Sequence, residues 1–175
     1  MTVDNATQLR MLLEYNEWAD ERVLDTTAAM RPDQLEQAAV GVRSIRQMLA
    51  HALGTQIWWH TRWTTDAFPK EEAVVALDEM LFAELRAAYD ASHAALRSFG
   101  ARLDMAEADR AEAWWKDLGY EQRAPLGQII VQVVNHGTQH RSEAALIMAT
   151  MAHSTGDLDY LEYMRETAAS RGGAA

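Results

Sequence analysis

Residues 129–151 of the chain read IIVQVVNHGTQHRSEAALIMATM, and this stretch decides the helical interpretation of the sequence. Apolar residues recur in it at steps of three and four, as on one face of an α-helix. Two histidines four residues apart continue that stripe in register. The stripe consists of Ile129, Val133, His136, His140, Ala144, Ile147 and Met151. The spacing therefore predicts an amphipathic helix that turns both histidines toward the core.

Three more long helices are predicted upstream, and the three prolines separate the helix-length pieces. The first runs from about Asp4 to Met30, the second from the N-cap candidate Ser44 to just before Pro69, and the third from roughly Lys70 to Phe99. The fourth runs from Pro125 to about Ser154, and a short fifth covers Asp157 to Thr167. The inner face of the third helix is assigned to Val74, Leu77, Met80, Leu81, Leu85, Ala88 and Leu96.

These elements predict an all-α protein, a four-helix bundle with a long linker between helices three and four and a short C-terminal helix. Residues 32–35 predict one extra helical turn, and residues 113–120 a short hairpin that turns near Asp117–Gly119. We expect residues 1–167 to form a single domain. Residues 168–175 have little to bury and are expected to form a disordered tail.

Composition narrows the classes of function. The 175-residue chain has a net charge of −10, which repels nucleic acids and anionic membranes, and no basic stripe offsets it. No apolar run approaches the ~20 residues that span a bilayer, and the N-terminus lacks the pattern of a signal peptide, so a cytoplasmic location is expected. Cysteine is absent, so a metal must sit on His, Asp or Glu, and any reacting thiol must arrive as a substrate.

His136 and His140 lie roughly 40° apart around a helix, close enough to share one metal ion. His51 is the third candidate, because it follows core Met48 by three residues near the middle of a long helix. The other histidines are His60, His93 and His153, of which His153 is expected to cap the fourth helix. Two alternatives stay open: a hydrogen-bonded polar layer in the core, or surface histidines on a helix whose phase is misjudged.

The sequence resembles the DinB/YfiT-like family, a family of metalloenzymes, over most of its length. The resemblance rests on four segments in order: Tyr15-Asn16-Glu17-Trp18-Ala19, Ser44 to His51, Asn135 to Arg141, and Gly156 to Tyr160. It implies that His51, His136 and His140 are the metal ligands and that the helix order is not simple up-down-up-down, in agreement with the long third linker. It also implies a homodimer. One departure is Arg141-Ser142-Glu143, where many relatives have Arg-Gly-Gln.

Three histidines without a fourth protein ligand describe an open site, which leaves a coordination position for water or substrate. The ion is expected to be divalent, with zinc as the default and nickel, iron, cobalt or manganese as alternatives. The resemblance implies transfer of a low-molecular-weight thiol onto an electrophile, although related proteins also include isomerases and hydrolases. The expected partner is thus a small-molecule substrate, with a thiol among the candidates.

No catalytic residue is assigned, and the residues that support the site are hypotheses. Asn16, Trp58 and Arg141 are the candidates for the substrate pocket; Arg141 would grip a carboxylate or simply pair with an acidic neighbour. The candidates that accept the second N–H of a ligand histidine are Asn16, Glu17, Asp20 and Gln132. The candidates that wall the cleft, or belong instead to the core or a subunit interface, are Trp58, Trp59 and Trp63.

The leading functional hypothesis is a metal-dependent enzyme acting on a small molecule, either a thiol transferase or a hydrolase. The alternatives are a non-catalytic bundle that binds a metal or ligand, and a purely structural helical interaction protein.

Overall fold

The computed structural model describes residues 3–38, 43–67, 69–114 and 122–172, and it forms a four-helix bundle with a small two-stranded sheet. The helices are α1 Asn5–Ala28, α2 Pro32–Leu35, α3 Ile45–Thr65, α4 Glu71–Val75, α5 Phe82–Gly100, α6 Met105–Asp109, α7 Leu126–Thr150 and α8 Tyr160–Gly172. The remaining elements are a 3₁₀ turn Ala76–Glu79 and the antiparallel strands β1 Ala111–Trp114 and β2 Gln122–Pro125. Within these residues, no helix is both long and apolar enough to cross a lipid bilayer.

The helix that carries His51 begins at a capping box. The Ser44 hydroxyl accepts a hydrogen bond from the Gln47 backbone N–H at 3.3 Å, and the Gln47 side chain accepts one from the Ser44 N–H at 3.0 Å. This reciprocal pair satisfies two of the N–H groups that a helix start leaves without partners. The start of α3 predicted from the sequence is therefore confirmed. The capping box fixes where α3 begins, and hence the face of the helix on which His51 lies.

The long helices α1, α3, α5 and α7 form the bundle. Of the pairs that follow one another in sequence, α3 and α5 lie side by side, whereas α1 and α3, like α5 and α7, do not. The main contacts join α7 to both α1 and α3, and α5 to both α1 and α3. Hence α1 and α3 lie across one diagonal, and α5 and α7 across the other. Since α7 sits between α1 and α3, one of its faces meets the helix of His51 and another meets the helix of Asn16.

Two apolar clusters lie at opposite ends of the bundle. One contains Leu24, Leu53 and Leu85, and the other contains Leu9, Trp63, Phe99 and Ile130. Along α1 and α7 the second cluster comes first in sequence, whereas along α3 and α5 it comes last. Consequently α1 and α7 run in one direction and α3 and α5 in the other. A layer of buried polar side chains separates the two clusters near the middle of each long helix.

The prediction of one continuous third helix was wrong. Because α3 and α5 are parallel, the chain must travel back along the bundle between them, and α4 with the 3₁₀ turn makes that return against α3. Leu77 and Val74 pack over Gly54, where a Cβ would come within 3.0 Å of Val74. The break ends at Leu81, the N-cap of α5. Its backbone is extended, and its N–H donates to the Glu84 carboxylate at 2.8 Å.

Two details follow from that break. Leu81, assigned to the inner face, is 72% exposed, because it caps α5 instead of lying within a helix. The connection between the parallel helices lies between α3 and α5, and the long linker predicted between helices three and four is present after α5. That linker joins the ends of the antiparallel helices α5 and α7 through α6 and the hairpin.

The ends of the later elements differ slightly from expectation. The hairpin strands cover residues 111–114 and 122–125, outside most of the predicted hairpin, and its predicted turn at Asp117–Gly119 lies outside the described residues. Helix α7 ends at Thr150, four residues early, at a left-handed Ala152 (φ 61°). His153 therefore follows the helix, and its backbone N–H donates to the Met148 carbonyl. Helix α8 reaches Gly172, into the segment predicted to be disordered.

Candidate metal centre

The structure brings His51 of α3 together with His136 and His140 of α7. The ring centroid of His51 lies 5.1 Å from that of His136 and 4.7 Å from that of His140, and the centroids of the two rings on α7 lie 4.5 Å apart. One nitrogen from each ring lies within 4.8 Å of the other two. His140 is buried, whereas His51 and His136 are partly exposed, so solvent reaches one side of the cluster.

This donor set fits a divalent metal ion. Tetrahedral coordination at 2.0–2.1 Å places ligand nitrogens about 3.3 Å apart, which small side-chain rotations reach from the present separations. His136 Nδ1 is buried and has no hydrogen-bond partner among the described residues, although buried polar atoms are normally paired. The donors are imidazoles alone, without a carboxylate or thiolate in the group. The protein thus offers three ligand atoms, which leaves room for an exogenous one.

The cluster also favours the protonation state that binds metals. Burial, followed by the proximity of His140 and His51, lowers the pKa of His136 to about 4. Burial and the nearby charge of Arg43 likewise lower the pKa of His51. Both imidazoles are therefore neutral at pH 7, and only the neutral ring has a free lone pair for a metal ion.

Glu143 orients the third imidazole. Its Oε2 lies 2.8 Å from Nδ1 of His140, one helical turn earlier on α7. Because a carboxylate only accepts hydrogen bonds at neutral pH, Nδ1 carries the proton and Nε2 keeps the lone pair. Gln139 Nε2 donates to the other carboxylate oxygen at 3.2 Å. Sequence reasoning missed this role of Glu143, although its i, i+3 spacing from His140 would have revealed it.

Arg141 directly follows His140 but points into the polar layer between α7 and α1. Its guanidinium is 2% exposed and donates to Asn16 Oδ1 at 2.8 Å, to Asp20 Oδ1 at 2.7 Å and to Thr138 Oγ1 at 3.0 Å. A buried cation of this kind needs both a counter-ion and hydrogen bonds, and Asp20 and Asn16 supply them. These bonds fix α7, and with it the two histidines, against α1.

The same layer continues to the other two long helices. The Asn16 amide donates to Asp20 Oδ2 at 3.0 Å and to Gln56 Oε1 on α3 at 2.8 Å. Gln56 in turn donates to the Ser92 hydroxyl on α5 at 2.8 Å. The layer therefore joins all four helices next to the candidate metal centre.

His93 on α5 belongs to the same polar layer and contacts two carboxylates of α1. Its Nε2 lies 3.0 Å from Asp20 Oδ2 and its Nδ1 3.2 Å from Glu21 Oε1. Burial alone would lower the pKa of His93, but the hydrogen bond and charge of Asp20 and the charges of Glu17 and Glu21 outweigh it and raise the pKa. His93 thus belongs to the buried ion network and not to the metal cluster.

Gly137, between the two histidines of α7, leaves room for this network. A Cβ at that position would lie 2.8 Å from the Arg141 guanidinium and 2.9 Å from Asn16 Oδ1. Both atoms belong to bonded, buried side chains that have little freedom to retreat. Glycine is therefore required for close contact between α7 and α1, which sequence spacing alone does not show.

The surroundings of Asn16 and Arg141 do not support the substrate contacts predicted for them. Both are buried, and of the two roles weighed for Arg141 the structure shows the pairing with an acidic neighbour, Asp20. Arg141 does border a cavity of about 550 Å³, but its other lining residues on α7, such as Thr138 and Ser142, lie on the face opposite the histidines.

The remaining candidates divide between core and surface. Trp63 is buried and packs against Phe99 in the apolar cluster, so it is not a wall of the histidine site, and Trp59 packs against the same cluster. Trp58 contacts Trp59 and lies two turns after His51 on the same face of α3. Gln132 is exposed, and Glu17 pairs with Arg97 at the surface, so neither is seen to support a ligand histidine.

Comparison with known proteins adds a family and a fold. The model of the DinB family matches residues 1–172. Among solved structures, the chain is similar to YfiT from Bacillus subtilis, described as a probable metal-dependent hydrolase with an unusual four-helix bundle topology. The two share 14% sequence identity at a TM-score of 0.70, over 87% of this chain and 92% of that one, a likeness that shows the fold. No curated protein matches the sequence.

Proposed function

This chain belongs to the DinB family, and on that premise we propose that it is a metal-dependent enzyme, with hydrolysis of a small molecule as its favoured reaction. In this proposal His51, His136 and His140 hold a divalent ion, zinc by default. The observation that carries it is the convergence of three imidazoles from two helices, one of which, His136, has a buried ring nitrogen without a partner in the described part of the chain. The hydrolase description of the structurally similar YfiT supports the choice of reaction.

The chain's own residues would prepare the site in three ways. The three imidazoles supply neutral nitrogen ligands, Glu143 keeps the His140 lone pair on Nε2, and the bonds of Arg141 hold α7 in place. A divalent ion held in this way acts as a Lewis acid and activates a water molecule or a thiol at neutral pH. Because the residues that the structure describes supply three ligands and not four, the arrangement favours reaction over a structural role.

Transfer of a low-molecular-weight thiol is the second candidate. The same open position would accept a sulfur atom, and the chain has no cysteine that could compete for the ion. The two reactions need the same ligands and differ only in whether water or a thiol is the nucleophile. Assays with both kinds of substrate therefore separate them.

Metal content and turnover test the proposal. The purified protein is expected to bind one equivalent of zinc, measured by elemental analysis after dialysis, and His136→Ala is expected to lose it. His153→Ala is the matched control, because His153 lies outside the cluster. Absence of metal from the wild-type protein would refute the metal site. Bound metal without turnover of activated esters, or of a thiol with a chloro-nitroaromatic, would instead favour a non-catalytic binding protein.

A further inference from the structure

A cavity of about 680 Å³ lies at one end of the bundle, where α3 and α5 end and α6 begins. Its lining includes Trp63 from the last turn of α3, Phe99 from the last turn of α5 and Arg102 just after α5. Trp63 follows His51 by 12 residues, about 18 Å along a helix axis, so the cavity is separate from the histidine cluster. Its volume is typical of small-molecule sites, which span roughly 300–1,000 Å³.

Contacts between the three elements hold this lining in place. The rings of Trp63 and Phe99 pack with their centroids 5.4 Å apart, within the apolar cluster of that end. The Arg110 guanidinium donates to the Trp63 carbonyl at 2.8 Å, which joins the end of α6 to the end of α3. The Arg102 backbone N–H donates to the Phe99 carbonyl at 3.0 Å, so Arg102 follows Phe99 by one turn. The cavity is therefore a defined feature of the fold.

The indole N–H of Trp63 lacks an acceptor. Trp63 is 4% exposed, and its Nε1 is buried without a hydrogen-bond partner among the described residues. Those residues contain only one other side-chain atom of this kind, His136 Nδ1 at the candidate metal centre. A buried tryptophan normally pairs its N–H, because an unpaired buried donor destabilises the fold. Since Trp63 borders the cavity, an acceptor on a bound molecule can supply the missing partner.

The charged groups around the cavity leave one cation without a partner. Glu107 pairs with Arg110 at 2.9 Å, and Arg110 also pairs with the buried Glu112. Asp104 caps α6, and its Oδ1 accepts the Glu107 N–H at 2.8 Å. Arg102 is exposed and lines the cavity, and within the described part of the chain its side chain forms neither an ion pair nor a hydrogen bond. The lining thus offers a guanidinium as well as the indole N–H.

A small carboxylate with an apolar body fits this combination. The apolar body would pack against the rings of Trp63 and Phe99, one carboxylate oxygen would accept from the indole N–H, and the other would pair with the guanidinium. Inorganic phosphate would leave the aromatic wall uncovered, and a hydrocarbon would leave the indole donor unpaired. An organic cation would be attracted by Asp104 but repelled by Arg102, and it would supply no acceptor.

We propose that the cavity bordered by Trp63, Phe99 and Arg102 is a second ligand site, which binds a small carboxylate with an aromatic or aliphatic body. The inference does not depend on the proposed metal-dependent function, because none of these residues belongs to the histidine cluster. Trp63 and Arg102 are binding residues in this site and take no part in bond making or breaking.

The test titrates phenylacetate into protein labelled with ¹⁵N-tryptophan, in the presence of zinc, and follows the indole N–H signals by NMR. Trp63→Phe, which keeps an aromatic ring but removes the N–H, identifies the Trp63 signal. That signal is expected to move downfield saturably, because a hydrogen bond deshields the proton. Line broadening of the ligand gives the affinities of the variants, and Trp63→Phe is expected to bind phenylacetate about fivefold more weakly, the effect of one hydrogen bond.

The neutral analogue phenylacetamide tests the role of the cation. The wild-type protein is expected to bind it about three- to fivefold more weakly than phenylacetate, the contribution of an exposed ion pair. Arg102→Gln is expected to bind the two probes equally. Arg43→Gln is the matched control, since Arg43 is another exposed arginine and lies outside the cavity, and it should keep the full preference.

The remaining outcomes would overturn the proposal. A Trp63 signal that does not respond to phenylacetate would show that the indole binds no ligand acceptor, and a response that is lost in His136→Ala would place the carboxylate on the metal. Equal binding of the two probes by the wild type, or a preference that survives in Arg102→Gln, would refute recognition of the carboxylate by Arg102. Equal loss of preference in Arg43→Gln and Arg102→Gln would show an effect of net charge alone.

Discussion

Replacement of Glu143 by glutamine should weaken metal binding while leaving the three ligands in place. The carboxylate accepts from His140 Nδ1 at 2.8 Å, and its side chain is 34% exposed. Loss of such an outer hydrogen bond typically costs 10- to 100-fold in metal affinity. Solvent screening at this exposure places the effect at the lower end, and glutamine still accepts a hydrogen bond. We therefore expect about a tenfold loss, or about 1.4 kcal/mol, for Glu143→Gln and a larger loss for Glu143→Ala.

The dissociation constant for zinc would be measured at pH 7 by competition with a chromophoric chelator. Glu162→Gln is the matched control, because Glu162 pairs with Arg165 at the same i, i+3 spacing on α8 and the substitution removes the same charge. Unchanged affinity in Glu143→Gln, with His136→Ala metal-free, would refute the idea that the carboxylate strengthens His140 as a ligand. Equal losses in both glutamine variants would show an effect of net charge alone.

Four further predictions concern stability, pH and assembly. Gly137→Ala should destabilise the protein by about 1–2 kcal/mol in chemical denaturation, because its Cβ would overlap the Arg141–Asn16 pair, whereas Gly100→Ala, with an ordinary contact at 3.6 Å, should not. Arg141→Met should lower the free energy of unfolding by about 3–5 kcal/mol in the same measurement, because the Asp20 carboxylate would stay buried without the Arg141 guanidinium. The pKa of His136 is about 4 in the folded protein and 6.5 in the unfolded chain, so this group should lower the free energy of unfolding of the metal-free protein by about 2 kcal/mol between pH 7 and pH 5. His136→Gln should lack that decrease, and an identical pH dependence of stability in the variant and the wild type would contradict the prediction. Light scattering should give the mass of a homodimer, and a monomer mass would reject that expectation.

Much of the fold could be predicted because its determinants are local. The stripe of α7 and the Ser44 cap of α3 depend on residues within one or two turns, and the structure confirms both. The convergence of His51 with the α7 pair also follows from inward-facing positions near the middle of two packed helices. The role of Glu143 was within reach of the same reasoning, because it too is an i, i+3 contact.

The errors come from contacts between segments that are distant in sequence. The break before Leu81 arises because α3 and α5 run parallel and need a return connection, a direction that no periodic pattern encodes. Arg141 shows the same limit without being an error: the sequence left open whether it grips a carboxylate or pairs with an acidic neighbour. The partners Asp20 and Asn16 lie more than 100 positions earlier in the chain, so only the fold reveals them.

The sequence by itself determined that the chain is helical, where three of its four long helices begin, and that any metal must sit on His, Asp or Glu rather than on thiols, because periodicity, capping and composition are properties of short stretches. Only the tertiary structure decided which helices touch, which direction each runs, and which polar groups become buried partners. Those outcomes depend on which packing buries the most apolar surface while still pairing the buried charges. Both quantities are set only when all four helices are packed together.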